Sequence, residues 1–290
     1  MRQPNAKVKV AILSVTSNSV LIALKILAGI LSGSVSIISE AIHSTMDLVA
    51  SVIALFSVRT SSVPADEMHP YGHGKIENIS GIAEGLLIFV AASLIVMEAI
   101  RKIIHPVEIG ETWVAIAVMG FSALVNTMVS SLLYKVAKKE DSMALEADAL
   151  HLKTDVYTSL GVGLGLLLLK LTGWAILDPI VAILVALLIV KESWHLIRSA
   201  FTPLLDASLP AEEETKIMDI LDQYQAQTIN YHALRTRKSG SSRFVDLHLT
   251  VASYLTVQES HALAEELEAR IQSVLRGVDI TIHIEPYDGE

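Results

Sequence analysis

Six long apolar stretches set the limits on what this chain can fold into. They run over roughly 8–31, 35–58, 76–104, 112–134, 143–171 and 176–198, and each reaches the ~20 residues that carry an α-helix across a bilayer. Pro64, Pro70, Pro106, Pro179, Pro203 and Pro210 fall at or between segment ends and none falls mid-segment. Helices require this placement, because proline lacks an amide hydrogen and clashes with the preceding turn. The first stretch is too long, and too polar at Ser17, Asn18 and Lys25, for a cleaved signal peptide, and no small-residue cleavage site follows it; it is read as a span. Residues 1–205 are therefore expected to form a membrane all-α domain of six transmembrane helices.

Composition changes at residue 206. Residues 1–205 hold 15 Lys and Arg against 16 Asp and Glu, whereas 206–290 hold 7 against 15, which places −8 of the overall −9 in the tail. An apolar block followed by an acidic, water-soluble one argues for two domains. Neither part has the positive excess of a nucleic-acid binder. With no cysteine in the chain, disulfides and thiolate metal sites are excluded. No Gly-rich Lys-Ser/Thr loop is present to bind a nucleotide, which argues against an ATP-driven pump, and no His-Glu-x-x-His word points to a metalloprotease. Nine basic residues (Arg2, Lys7, Lys9, Arg59, Lys75, Lys135, Lys138, Lys139 and Arg198) gather on one side of the expected bilayer, against Arg101, Lys102 and Lys170 on the other. The positive-inside rule then places both termini, and the tail, in the cytoplasm.

The tail, 206–290, reads as α-β-β-α-β, a small cytoplasmic α+β domain of ferredoxin-like or metallochaperone-like type. A helix over 211–225 opens after Pro210 with Glu212, Glu213 and Glu214, acids suited to the positive helix end. Strands are expected over 230–237 and 243–252 around Lys238-Ser239-Gly240-Ser241, with Phe244, Leu247 and Leu249 in an imperfect alternation. Helical spacing at Leu263, Leu267, Ile271 and Val274 marks 257–275, and Val278, Ile280, Ile282 and Ile284 alternate as a strand over 278–285.

Two apolar stretches carry the same word. His43-Ser44-Thr45-Met46-Asp47 lies in the second and His151-Leu152-Lys153-Thr154-Asp155 in the fifth. On a helix, residues four apart share a face, so each word offers an imidazole and a carboxylate to one point. Two such helices facing each other supply four N/O ligands, the number of a tetrahedral zinc site. One such word alone reads equally as a helix-packing hydrogen bond, but ionisable groups within a span usually mark an ion or proton path. Gly81 and Gly85 in the third stretch, and Gly161, Gly163 and Gly165 in the fifth, allow close helix approach. Asp178 before Pro179 reads as a helix cap, and Lys25 is assigned no chemical role. Asp66, His69 and His73 in the loop after the second stretch could close on one ion, though a solvated loop with two histidines has the same spacing. In the tail, His283 and Glu285 alternate onto one strand face and His248 sits on another strand.

These features together resemble the cation diffusion facilitators, dimeric proton-driven exporters of divalent metals. The resemblance runs from the first stretch to Glu285 and includes the loop Asp66-Glu67-Met68-His69-Pro70-Tyr71-Gly72-His73-Gly74-Lys75 and the tail segment Leu234-Arg235-Thr236-Arg237-Lys238-Ser239-Gly240. It is nearest the bacterial zinc/iron exporter branch with a short tail domain. It implies a transport site at His43, Asp47, His151 and Asp155, a loop site at Asp66, His69 and His73, and a tail site at His232, His248, His261, His283 and Glu285. It also implies an interdomain ion pair between Lys75 and Asp206. That branch has Asp where this chain has His43, a departure that resembles zinc-selective members, and many relatives have Asp where this chain has Glu285. The expected activity is export of Zn²⁺ by proton antiport from a homodimer in the cytoplasmic membrane, with no enzyme activity. Imidazole–carboxylate sets also accept Cd²⁺, Fe²⁺, Co²⁺ or Mn²⁺. The competing expectation is a membrane-bound metal sensor that moves no ions.

Overall fold

The computed structural model describes the backbone of residues 6–32, 35–105, 113–172, 174 and 176–287. The chain divides into two compact units, Met1–Ala65 with Ile76–Phe201, and Asp66–Lys75 with Thr202–Glu290. The division differs from a simple cut at residue 205, because the short loop 66–75 clusters with the tail.

The larger unit is built from six helices: α1 Ala6–Ser32, α2 Val35–Ser61, α3 Lys75–Ile104, α4 Trp113–Glu140, α5 Met143–Thr172 and α6 Leu177–Phe201. Helix α1 packs on α2 and α4, α4 on α5, and α5 on α2 and α6. The polarity of this unit is inverted relative to a water-soluble bundle. Ser14, Asn18, Lys25, Asp47, Ser51, Glu84, Asp148 and His151 are buried, while Leu27, Phe56, Leu94, Met128, Leu160 and Leu184 are exposed. A helix surface of that kind suits lipid, and polar groups withdrawn from lipid must find partners inside. The partners are present: the Ser14 and Ser51 hydroxyls lie 3.0 Å apart, and Asn18 Nδ2 donates to Ser51 Oγ at 2.8 Å. Among the described residues, three stretches are long and apolar enough to cross a membrane, Ala6–Ala28, Lys75–Ile104 and Pro179–Leu205.

Helices α3 and α6 meet closely at a glycine. A side chain at Gly85 would run into Ile197, and its absence lets Ser193 Oγ donate to the Gly85 carbonyl at 2.7 Å. At the loop end of the same helices Lys7 Nζ donates to Glu77 Oε1 at 3.0 Å, Ser61 Oγ donates to the same oxygen at 2.8 Å, and the Ser142 hydroxyl donates to Glu77 Oε2. One buried carboxylate thus ties the starts of α1 and α3, the end of α2 and the turn before α5.

The smaller unit holds a 3-10 turn Thr202–Leu205, α7 Ala211–Gln223, β1 Asn230–Ser239, β2 Ser242–Val251, α8 Val257–Val274 and β3 Val278–Pro286. The sheet order is β1-β2-β3, antiparallel between β1 and β2 and parallel between β2 and β3. The parallel pair needs a crossover, which α8 supplies. Val245, Leu247, Leu249 and Val251 of β2 join Ile217, Ile220 and Leu221 of α7 and Leu263, Leu267 and Ile271 of α8 in one core. The alternation of β2 is therefore complete, and Phe244 belongs to the opposite set from Leu247 and Leu249. It packs on Tyr71 of the loop, ring centroids 5.2 Å apart, with the Arg237 guanidinium 4.5 Å from its ring. This stacking is the physical reason that the loop 66–75 joins the tail.

The loop also approaches the β1–β2 turn backbone to backbone. Gly240 has φ +59°, and a Cβ on it would lie 2.8 Å from the Gly74 carbonyl oxygen. A non-glycine residue in this left-handed conformation costs about 1–2 kcal/mol before any clash. Gly240→Val should therefore lower the melting temperature of the smaller unit by roughly 4–8 °C for each kcal/mol lost. Scanning calorimetry of the full chain checks this, and hydrogen exchange should show the loop 66–75 released as well.

Candidate functional site

The two His-x-x-x-Asp words converge. Asp47 of α2 and His151 and Asp155 of α5 place one donor atom each within 4.8 Å of one another. His151 Nε2 lies 3.3 Å from Asp47 Oδ1, with both residues buried. His43 lies one turn before Asp47 on α2, and its side chain is outside the described residues. The second imidazole nitrogen, Nδ1 of His151, is buried and has no hydrogen-bond partner among the described residues. Such an orphan is expected where a ligand sphere is incomplete, since buried polar atoms are otherwise paired.

A cavity of about 200 Å³ opens beside these groups, lined by Lys25, Asp47, Asn126, Thr154 and Asp155 among others. Asn126 Nδ2 lies 3.5 Å from Asp155 Oδ2, and Lys25 Nζ donates to Ser44 Oγ at 2.6 Å. Asn126, Lys25, Asp148 and Glu84 were not singled out for chemistry by spacing. Their signal was available all the same, as charged or amide residues inside apolar stretches.

The loop brings its three residues together as well. The His69 N–H donates to Asp66 Oδ1 at 2.7 Å, His69 Nδ1 lies 3.2 Å from the same oxygen, and His73 Nε2 lies 3.5 Å from Asp66 Oδ2. His73 Nδ1 is buried without a partner among the described residues, which fits a donor set able to accept an ion. The His69 backbone N–H, more than the two imidazoles, holds the Asp66 carboxyl below the usual carboxylate range. It is therefore ionised, and ready to ligate, at neutral pH.

In the tail, strand register makes the site. His232 pairs with His248 across β1 and β2, and His248 pairs with His283 across β2 and β3. Three imidazoles thus stand in one row, ring centroids 5.1 and 4.8 Å apart. Glu285, two residues beyond His283, reaches along the row: its oxygens lie 2.8 Å from His248 Nδ1, 3.3 Å from His232 Nε2 and 3.8 Å from His283 Nε2. Ala233 at φ +51° accompanies a break in the β1 register just after His232, a bulge that helps to aim this imidazole. His261 stands apart on α8, exposed and 3.3 Å from Glu265; within one protomer it does not join the row.

Lys75 Nζ donates to Asp206 Oδ1 at 2.8 Å, and Arg237 lies 3.8 Å from the same oxygen. Both ends of the pair lie inside the smaller unit, so the contact is internal to it rather than a bridge between units. The physical reason is the packing of the loop on the sheet through Tyr71 and Phe244.

Lys75 holds the Asp206 carboxyl below its ordinary value, chiefly through their hydrogen bond. A depressed carboxylate contributes fully above the ordinary range and loses its contribution only as pH falls through the depressed value. Acidification from about pH 7 to 5 should thus leave the contact in place, whereas Asp206→Asn should release it at neutral pH. Amide hydrogen exchange of residues 66–75 in the full chain reads both outcomes.

The profile described as the cation efflux transmembrane domain matches residues 11–205, and that of the cation efflux protein cytoplasmic domain matches 209–287. The chain is 35% identical over 278 residues to an uncharacterized transporter of Synechocystis, covering 96% of this chain and 90% of that one. It is 34% identical over 281 residues to the cation-efflux pump FieF of Yersinia pestis, covering 96% and 93%. Among solved structures, the zinc form of CzrB is 34% identical, covers 29% of this chain and 97% of that chain, and has a TM-score of 0.28.

Proposed function

The chain belongs to the cation efflux family, the cation diffusion facilitators, whose members are transporters and not enzymes, and on that premise we propose that it exports Zn²⁺ from the cytoplasm in exchange for protons. In this reading all six helices span the cytoplasmic membrane, both termini are cytoplasmic, and the working form is a homodimer. The observation that carries it is the convergence of Asp47, His151 and Asp155 inside a bundle that turns its apolar side chains outward.

Two carboxylates offset the two charges of the ion, and imidazole nitrogens supply the softer donors that zinc favours over ions preferring six oxygens. His43 completes a set of four. An imidazole must be neutral to ligate, so protons and metal compete for the same nitrogen. A more acidic exterior then favours release outward, and alternating access presents the site to each side in turn. A site without thiolates also releases its ion readily. The same ligands accept Cd²⁺, Fe²⁺, Co²⁺ or Mn²⁺, and availability weighs in the selection.

The loop and tail sets are assigned to regulatory or structural ions. The tail is strongly acidic, so two empty tails in a dimer repel. Ions at His232, His248, His283 and Glu285, with His261 contributed across the dimer, would offset that repulsion and draw the tails together. The distance between spin labels on the two tails should shorten when Zn²⁺ is added. An unchanged distance in protein that binds tail metal would leave the tail a static dimerisation module.

The transport reading is tested with purified protein in vesicles under an imposed pH gradient and a panel of divalent ions. Asp155→Ala should abolish flux while leaving the protein inserted and dimeric. Normal flux in that variant would remove the assignment, and metal binding without flux in the unmodified chain would favour a sensor. His43→Asp should relax selectivity toward Cd²⁺ or Fe²⁺, read in the same assay; an unchanged metal profile would show that His43 does not discriminate.

A further inference from the structure

One turn from the convergent site, toward the Lys7–Glu77 end of the bundle, lie two acids that the metal assignment does not use. Glu84 of α3 and Asp148 of α5 both have no exposed surface. Each carboxyl has one partnered oxygen: Ser80 Oγ donates to Glu84 Oε1 at 3.1 Å, and Ser51 Oγ donates to Asp148 Oδ1 at 2.9 Å. The other oxygens, Glu84 Oε2 and Asp148 Oδ2, are buried with no hydrogen-bond partner among the described residues.

An ionised Glu84 left this way would carry a buried charge with a single hydroxyl partner, at a cost of several kcal/mol, whereas Asp148 has the hydroxyls of Ser14 and Ser51 and the imidazole of His151 acting on it. Lys7 is paired with Glu77, and Lys25 donates to Ser44. A protonated carboxyl, by contrast, offers an O–H donor and removes one negative charge, and neighbouring carboxyls commonly hold one proton between them.

The charged and titratable groups around Glu84 are few. Asp148 of α5 acts on it electrostatically. On α3 itself Glu77 lies nearly two turns away and is held by Lys7. Helix α6 presents Ser193 and Ile197 at Gly85, the next residue, while its Glu192 and His195 line a separate cavity of about 550 Å³ against α4 and α5. From α2 and α5 the metal set itself, Asp47 and His151, lies deeper in the bundle.

We propose that Glu84 is a proton-carrying residue of the antiporter, holding a proton beside Asp148 while the metal site is empty and yielding it toward the Lys7–Glu77 end when metal enters. The inference rests on the proton-antiport reading above and adds a residue to it. The proton leaves a carboxyl oxygen as the divalent charge arrives one turn away, so the bundle does not hold both the ion's charge and the proton. Serines connect the two levels: Asn18 Nδ2 donates to Ser51 Oγ at 2.8 Å and lies 3.4 Å from the Asp47 carbonyl oxygen, so the partner of Asp148 is linked directly to the helix turn that bears Asp47.

The test uses the full chain in vesicles loaded with zinc and pH indicators. Three quantities are read: zinc–zinc exchange at equal pH, net zinc flux driven by a pH gradient, and protons moved per zinc. Glu84→Gln keeps the shape and the neutral form but cannot give up a proton. It should retain zinc–zinc exchange near the unmodified rate and lower gradient-driven flux at least ~10-fold, the scale on which a positioned proton-transfer group acts. Its proton count per zinc should fall by about one, the number one titrating group contributes. Glu84→Asp should restore net flux with a displaced pH profile.

A Glu84→Gln protein with unmodified flux and proton count would overturn the inference while leaving antiport intact. Loss of exchange as well as flux in a variant that remains dimeric would also overturn it, making Glu84 a structural or metal-binding group. If the unmodified chain moves zinc without protons, the antiport reading fails and this inference fails with it. Asp155→Ala, which should lose exchange and flux together, separates damage to the metal site from damage to proton movement.

Discussion

Inside a bundle whose outer surface is apolar, a carboxylate oxygen of Asp47 sits 3.3 Å from an imidazole nitrogen of His151. The helices around this contact are arranged so that it can exist. Charged groups are costly to face lipid, and α2 and α5 turn these residues inward and pack on each other. Small residues on the two helices suit this packing: Ala50 and Ala54 of α2 and Ala144 of α5 are fully buried. Polar side chains nearby then act as internal solvent. Ser14, Asn18 and Ser51 exchange hydrogen bonds with one another and with Asp148, replacing the water that a soluble protein would use. The apolar exterior and polar interior go together, since polar groups withdrawn from an apolar exterior need partners inside.

The smaller unit solves a different problem with the same donors. Its hydrophobic face is spent on α7 and α8, which frees the other face of the sheet to carry a row of imidazoles. Antiparallel pairing of β1 and β2 aligns His232 with His248, and parallel pairing of β2 and β3 aligns His248 with His283. One carboxylate, Glu285, can then serve several nitrogens because adjacent strands are only about 5 Å apart. The loop 66–75 is held on this unit by Tyr71, by Lys75 and by a glycine-to-glycine approach at Gly74 and Gly240. The site at Asp66, His69 and His73 is therefore positioned by the tail fold rather than by the ends of the helices that flank it in sequence.

Much of this was legible in the chain. Apolar length and proline placement located the helices, and the repeated His-x-x-x-Asp words located two ligand-bearing faces, because both signals are local and periodic. What escaped was long-range. No spacing within β1, β2 or β3 discloses that His232, His248 and His283 fall in one register, since register depends on the turn at Gly240, the bulge at Ala233 and the crossover through α8. The orientation of Phe244 escaped for a related reason: beside Leu247 and Leu249 it reads as core, yet it sits in the opposite phase and is covered by Tyr71 from a loop far away in sequence. Asp148 lies one turn before His151 on the same helix and was legible as its neighbour, whereas the place of Glu84 beside it depends on how α3 packs on α5 and α6. His261 shows the converse, a residue placed with the others by resemblance that sits on α8 beside Glu265, away from the row.

Three donor sets of the same chemistry thus occupy three degrees of enclosure, and enclosure decides what each can do. At Asp66 the carboxylate is open to water and held ionised by a backbone N–H, so an ion bound there would be shared with solvent. The tail row is intermediate: its histidines are partly exposed, but Glu285 is surrounded by their rings, so an arriving ion displaces contacts among the ligands themselves. Asp47 and His151 are buried and Asp155 is half-buried, and unpaired ionised groups in such surroundings are costly. In the proposed reading that set trades metal against protons. Exchange of that kind is what the proposed antiport needs, and burial favours it without any change in ligand type. Glu84 and Asp148, buried more completely still, lie one turn further along the bundle.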